Sequence, residues 1–320
     1  MGKRACWAGT APLPANGVVV LSPAGFPVPE LAEPSRRRRE RASRVWRAVV
    51  ARPSGVIGVV ITLIVLVASV FASMLAPHSA YYQFPNGLTN NGSPVGPSAQ
   101  FLLGTDALGR DLLSRLLIGL QNTMEVAVAA NIIAAAVGVA VGSVAGYVGG
   151  WVDLILMRTT EVLLAVPAIL LAGFIALVTQ PSKLSLIVII GAVNWFYLAR
   201  IVRGEVLVIR TREFVEASIV AGARDIRVVT RHVLPQIWSL VAVYTTLQFS
   251  TTTLFVASLS YVGVGIQPPT PSLGDLISDG SAYLTSVPRL AIIPGIALGL
   301  VVLGLNLLGD ALRDALARRS

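Results

Sequence analysis

Charge is scarce in this chain of 320 residues: Asp, Glu, Lys and Arg together make up 13% of it, where an ordinary soluble domain carries roughly 25%. Lysine is nearly missing. Only Lys3 and Lys183 occur, and neither stands in the GxxxxGK[ST] setting whose glycine amides cradle nucleotide phosphates and whose lysine reaches the terminal ones. The chain therefore carries no P-loop ATPase of its own and is not expected to be an enzyme. Two histidines, His78 and His232, without an HExxH pattern, argue against a histidine-rich metal site. Neither lies inside an apolar stretch, where a membrane-buried serine hydrolase would need its base, and both read as structural. The single Cys6 cannot close an intramolecular disulfide and says nothing about redox compartment.

Apolar sequence is what the chain has instead: 54% of residues are hydrophobic and the mean hydropathy is +0.74. That much apolar surface needs lipid around it. The formal charge of +9 then reads as arginines that set orientation or meet anionic headgroups beside membrane spans. Membrane lipid is an expected partner and nucleic acid is not.

Residues 1–43 mix Pro, Gly and Ala with the run Arg36 to Arg39 and show no packing period; they read as a disordered, Arg-rich cytosolic tail. From residue 44 the chain reads as an all-α, polytopic membrane domain with six spans, at about 55–75, 125–148, 162–178, 184–199, 237–261 and 290–308. The first of these would rise about 31 Å as a helix, against a hydrocarbon core of about 30 Å. It is longer than the apolar part of a secretory signal, about 7–15 residues, and starts too far from the N-terminus to be one. A tight hairpin over Thr179–Lys183 joins the third and fourth spans. Gly138, Gly142 and Gly146 recur every four residues in the second, either as a smooth face for a neighbouring backbone or as plain flexible glycine.

The spans are nearly bare of ionisable groups. Glu125, Glu161 and Asp310 fall at predicted edges, which speaks against a proton-driven carrier built on buried carboxylates. Asn131, Asn194, Gln248 and Asn306 are the intramembrane polar residues. They serve either as helix-to-helix hydrogen bonders or as contacts along a translocation path. Of the 25 Lys and Arg residues, 21 fall on the tail's side of the spans, leaving Arg110, Arg115, Lys183 and Arg289 on the other. Positive residues mark the cytosolic face, so both termini are expected inside.

Two loops carry more information. The cytosolic loop, about 200–236, contains EASIVAGARDIRVVTRHVLP from Glu216 to Pro235. Thr211 is the expected cap of a short helix, Glu213 and Glu216 suit its positive end, and Gly222 can stop it. Asp225 is the expected cap of a second short helix carrying Arg227 and Arg231, before Pro235 introduces the fifth span. Such a knob either docks into a groove on a partner or is a solvated charged loop. On the outer side, LLGTDALGRDLLSRLLIG over 102–119 pairs Asp106 with Arg110 and Asp111 with Arg115 at i,i+4, while Leu108, Leu112 and Leu116 share a face. The pattern predicts a helix lying along the membrane surface, either meeting an incoming substrate or delivering protein or serving only as an anchor. The proline-rich Gln267–Ser272 is a lid, a docking surface or a connector.

These segments resemble a family, the membrane subunits of bacterial ABC importers. Their cytosolic EAA, G, [hydrophobic or His]-x-LP pattern falls here on Glu216, Ala217, Ser218, Gly222, His232, Leu234 and Pro235, with Ala223 and Asp225 inside it and Ser218 in place of the second alanine. The outer segment resembles the LGTDxxGRDxxSR signature of the peptide and nickel importer permeases, on Gly104, Thr105, Asp106, Gly109, Arg110, Asp111, Ser114 and Arg115. LSYVGVGIQPPTPSLGDLI, 259–277, is similar to their LSFLGLGxxPPxPxWG segment, with Leu273 where tryptophan is usual, and the C-terminal DPR is absent. The resemblance runs from about Arg44 to the C-terminus and fits best the C-type permease of dipeptide and oligopeptide systems. It implies a channel-forming subunit of a bacterial inner-membrane importer for short peptides, or alternatively for nickel or another small solute. It also implies a homologous sister permease, an extracytoplasmic substrate-binding protein, and two ATPase subunits that bind ATP and Mg and seat the Glu216–Pro235 loop. No cofactor is expected on this chain. A stand-alone secondary carrier or channel and a non-transport scaffold are the competing readings.

Overall fold

The computed structural model describes residues 47, 49–179 and 182–317; the expected tail over 1–43 and residues 180–181 of the hairpin lie outside them. The first apolar stretch forms α1 (Pro53–Val70) and, after a break at Phe71, α2 (Ala72–Leu75). A long loop leads to α3 (Leu112–Val148), which is followed by α4 (Gly150–Ala165), α5 (Ala168–Thr179) and α6 (Lys183–Arg210). A short helix, α7 (Glu213–Val220), precedes α8 (Asp225–Val228), a wide turn over Val229–Val233, and α9 (Leu234–Tyr261). The chain closes with α10 (Leu273–Ser281) and α11 (Arg289–Ala317). Among the described residues only two isolated antiparallel bridges occur, Leu88 with Pro94 and Thr105 with Asp111, so the all-α expectation holds.

Among the described residues, five helices are long and apolar enough to cross a membrane, and a sixth crossing is counted if α4 and α5 form one span bent by 87°. The third span expected over 162–178 is therefore corrected: helix breaks within it, between Ala165 and Ala168. Pro167 lacks the N–H a helix needs and pushes the residue before it toward extended backbone, as seen at Val166 (φ −89°, ψ 128°).

The surface helix expected over 102–119 is also corrected. Helix begins only at Leu112 and continues into the second span, 37 residues in all. Such a helix is about 55 Å long, nearly twice the hydrocarbon thickness, so one end stands clear of the bilayer. Residues 102–111 are turns because side chains there satisfy the backbone locally. Gly104 (φ +80°) and Gly109 (φ +73°) adopt left-handed conformations, and Asp106 accepts from the amides of Leu108 and Arg110 at 2.9 Å.

At the other end, α6 runs eleven residues past its expected stop at residue 199. Val202, Val206 and Ile209 continue its buried face at helical spacing, and Arg203 is neutralised by Asp153, whose Oδ2 accepts from Nη2 at 2.6 Å.

The close approach of α3 and α6 sets the middle of the molecule. Gly138, Gly142 and Gly146 lie against Leu198, Ala199, Val202, Arg203 and Val206, so that a Cβ on Gly146 would fall 2.9 Å from the Arg203 carbonyl and the Val206 Cβ. The glycines form a smooth face. Where α1 meets α11, Arg52 pairs with Asp314 through side chains 41% and 46% exposed. Asp314→Asn is expected to shift thermal stability in detergent by no more than about 1 kcal/mol, as exposed pairs do.

Candidate functional site

The two ends of α3 carry the two loop systems. At its C-terminal end the Tyr147 hydroxyl donates to Asp225 Oδ1 at 2.9 Å, which ties the Glu216–Pro235 motif to the bundle. Asp225 was expected as a helix cap; it is instead the first residue of α8, with Arg224 at the cap position and no side-chain cap bond. Thr211 does not cap α7 either. That position is Arg212, and the Thr211 hydroxyl donates back to Val208 O at 3.0 Å, closing α6.

Gly222 stops α7 as expected, with φ +79°, and the Gly222 and Ala223 amides bond to Ile219 O and Ser218 O. The motif's Ser218 donates its hydroxyl to Phe214 O at 2.8 Å, which is why serine is accommodated there. The expected second short helix is not separate. It runs through the wide turn Val229–Val233 directly into α9, and that turn accommodates Pro235, which cannot donate to the preceding turn. Leu234 packs at the edge of the core and the His232 ring lies 6.5 Å from that of Phe214.

Burial in this motif is uneven. Val215 and Val228 are fully buried and fasten α7 and α8 to the bundle, while Ile226 is 70% and Val220 88% exposed and Glu216 and Ala217 face outward. A helix held by so few anchors, with apolar side chains left outside, is shaped to receive another surface.

At the N-terminal end of α3 the LGTDxxGRDxxSR residues are brought together as a structural knot. Thr105 donates its hydroxyl to Gly87 O at 2.6 Å and accepts from the Val95 amide at 2.8 Å. Asp111 caps α3, accepting from the Ser114 amide at 2.9 Å, and Ser114 Oγ in turn accepts from the His78 amide at 3.0 Å. The His78 ring packs against Phe84 and Phe101. Asp106 pairs with Arg110 as expected (2.7 Å), but across a turn, and it also faces Arg115 at 3.2 Å. The expected Asp111–Arg115 pair does not form: Asp111 Oδ2 accepts from the Ser114 amide and hydroxyl, and its buried Oδ1 has no hydrogen-bond partner among the described residues.

The intramembrane polar residues all reach neighbouring helices. Asn131 Nδ2 donates to Thr245 O at 3.0 Å, Gln248 Nε2 to Asn194 O at 2.7 Å, Asn194 Nδ2 to Thr252 Oγ1 at 3.4 Å, and Asn306 Oδ1 accepts from Ser250 Oγ. Glu125 pairs with Lys183, and Glu161 with Arg158. Residue patterns did not single out the Ser272–Asp275 cap of α10, where Ser272 Oγ accepts from the Asp275 amide at 3.1 Å. The Ser-x-x-Asp spacing carries that signal.

Long apolar helices, a broken span, a partly anchored knob at one end and a tied loop at the other define a polytopic transport permease. Residues 138–320 match the family described as the binding-protein-dependent transport system inner membrane component. Residues 41–94 match the N-terminal TM domain of oligopeptide transport permease C. The chain is 38% identical over 271 residues to the glutathione transport system permease protein GsiD of Escherichia coli O6:K15:H31 (strain 536 / UPEC), covering 85% of this chain and 88% of that protein. The protein of the same name from Shigella boydii serotype 4 (strain Sb227) gives the same figures. The chain belongs to this family: it is a multi-pass inner-membrane permease subunit of an ABC-type importer of the peptide/nickel group. As such it is a transport subunit, in a family that works with ATPase and substrate-binding partners.

Proposed function

We propose that this permease, with a homologous sister permease, encloses the path by which short peptides enter the cell. Two separate ATPase subunits, which bind ATP and Mg, drive it through the Glu213–Val220 helix. The observation that carries this reading is the partly anchored knob. Val215 and Val228 hold it to α6 and α9, while Ile219, Val220 and Ile226 stay outside the fold, leaving apolar surface for a partner and a rigid connection to two membrane helices. Nucleotide-driven motion of the partner would then swing those helices and switch access between the two sides. The excess of Lys and Arg on the knob's side supports a cytosolic position for it and for both termini. The Asp111 end of α3 then faces outward, where a substrate-binding protein delivers. The curated relatives are named for glutathione, which supports a peptide as substrate, with nickel or another small solute as the alternative.

The test uses the importer reconstituted in liposomes with its binding protein. Gly222→Val forces a branched residue into a left-handed position, and Glu216→Lys reverses charge on the exposed face of α7. Each is expected to lower labelled-peptide uptake by about tenfold or more, a coupling loss of about 1.4 kcal/mol or greater. Hydrolysis should no longer respond to loaded binding protein, while membrane insertion is unchanged. Full uptake by both variants would sink the reading.

A further inference from the structure

Beside the structural knot at the Asp111 end of α3 lies a charged cavity, lined in part by the knot's own Arg110 and Arg115. Its volume is about 430 Å³, and the turn 106–111, the segment Pro268–Thr270 and α10 enclose it. Arg115 forms one wall. Its side chain is 4% exposed; Nε lies 3.2 Å from Asp106 Oδ2 but has no well-directed hydrogen bond among the described residues, and Nη1 donates to Ala80 O at 3.5 Å. The nearest carboxylate oxygen to Nε is Asp106 Oδ2, already held by Arg110 Nε at 2.7 Å. Arg110, 11% exposed, lines the cavity beside it.

The part of the lining that α10 supplies is acidic. Asp275 and Asp279 stand one turn apart on α10 and so share a face. One Asp275 oxygen accepts from Ser272 Oγ at 2.7 Å; the other has no hydrogen-bond partner among the described residues, and neither does the exposed Asp279 carboxylate, which is also without an ion pair there. A second cavity of about 260 Å³ adjoins the first through Arg110 and Asp279 and is walled by Leu112, Leu276, Tyr283 and Leu290.

Two guanidiniums that share the single Asp106 carboxylate, two further carboxylates on α10 and an apolar annex are complementary to a zwitterion with a side chain. A metal cation would have to tolerate the guanidiniums, and a purely anionic solute the carboxylates. The volume lies in the roughly 300–1,000 Å³ range of small-ligand sites. We propose that this cavity binds a short unmodified peptide. Its free α-ammonium group sits on Asp275 and Asp279, its α-carboxylate on Arg115 and Arg110, and one side chain enters the apolar annex. This deepens the reading of the chain as a peptide permease and rests on it: the cavity is where a delivered peptide pauses before the path opens.

A pH dependence follows. Burial first, then the neighbouring Asp279, pushes the Asp275 carboxyl up to about 7, against the pull of Ser272 and Arg115. The charged groups around it are Arg115 from α3, Arg110 and Asp106 from the turn, and Asp279 on its own helix. The α9 helix has no charged residue, and Arg289 at the head of α11 is turned away, donating to Val95 O at 2.7 Å. Holding an ammonium group requires the ionised carboxylate. Because the pKa is raised, that form is lost as pH falls through about 7, so peptide binding should tighten from about pH 6 to about pH 7.5, above which the peptide's own α-ammonium, with a pKa of about 7.7–8.0, begins to lose its charge.

The experiment measures equilibrium binding of radiolabelled alanyl-alanine to the whole importer in lipid nanodiscs, without nucleotide or binding protein. One saturable site is expected. N-acetylation and C-amidation should each weaken binding by about tenfold or more, since each removes one charge-assisted contact. Asp279→Asn, a change at an exposed position that leaves folding intact, should weaken the free dipeptide by a similar factor and erase discrimination against the N-acetylated one. Asp275→Asn should flatten the pH dependence. No saturable binding, equal affinity for free and capped dipeptides, or a silent Asp279→Asn would overturn the proposal. So would the finding that Asp279→Asn weakens only docking of the binding protein. Peptide uptake by the full system with this site silent sinks the site alone; transport of another solute with no peptide uptake sinks the peptide reading as well.

Discussion

Gly142→Val is expected to leave almost no folded permease. An added Cβ at Gly142 meets the Ala199 carbonyl and lies 2.8 Å from the Val202 Cβ. Both obstacles sit on α6, and one is backbone, so no side-chain rotation relieves the clash. Between membrane helices, lipid is as apolar as the side chains, and close packing takes over much of the work that water exclusion does in soluble cores. Overpacking costs about 1–3 kcal/mol even where side chains can adjust, and separating two helices along their length costs more. A domain holds only about 5–15 kcal/mol in total. The expected readout is loss of the monodisperse peak on size-exclusion chromatography and a collapsed thermal transition. Gly299→Val is the control: an added Cβ there meets nothing within 4 Å, and the variant should behave as the parent. A Gly142→Val protein with parental stability would show that α3 and α6 do not pack through their glycines.

Asp106→Ala should be the most damaging change at the other end of α3. The Asp106 carboxylate accepts from two turn amides and pairs with Arg110, while Arg115 lies 3.2 Å away. Removing it leaves two guanidiniums, 11% and 4% exposed, without their shared counter-ion. Breaking a buried pair in this way costs about 3–5 kcal/mol, whereas replacing the whole arrangement by apolar residues of similar volume is often tolerated. Asp106→Ala is therefore expected to unravel residues 84–111, seen as rapid cleavage by added protease and a lower melting temperature. Adding Arg115→Met should recover part of the loss. A single variant within about 1 kcal/mol of the parent would mean that Asp275 or Asp279 can neutralise Arg115 instead, at odds with the binding cavity described above.

Residue patterns carried the membrane embedding, the all-α class and the stop at Gly222, because each depends on local composition: apolar length, the near absence of charge, or a left-handed residue. They also carried the identity of the Glu216–Pro235 and Leu102–Gly119 motifs. What they misjudged was continuity. Whether Arg200–Arg210 is loop or helix depends on Asp153, fifty residues away, neutralising Arg203. Whether Asp225 caps its helix depends on Tyr147, 78 residues away. Charge pairs at i,i+4 suggested helix over 102–111, yet the same Asp106 stabilises a turn by accepting amide hydrogen bonds, and spacing alone does not distinguish the two.

The sequence by itself determined that this protein is an all-α membrane permease whose residues include no P-loop. Hydrophobic length and charge asymmetry are free-energy terms of single segments, which do not require a partner in space. Only the tertiary structure decided that three glycines seat α3 on α6, that Pro167 breaks a span, and that two arginines and two aspartates from distant stretches face one cavity. Each of these depends on which residues of different helices meet, and close packing selects that arrangement among many that the same apolar pattern allows.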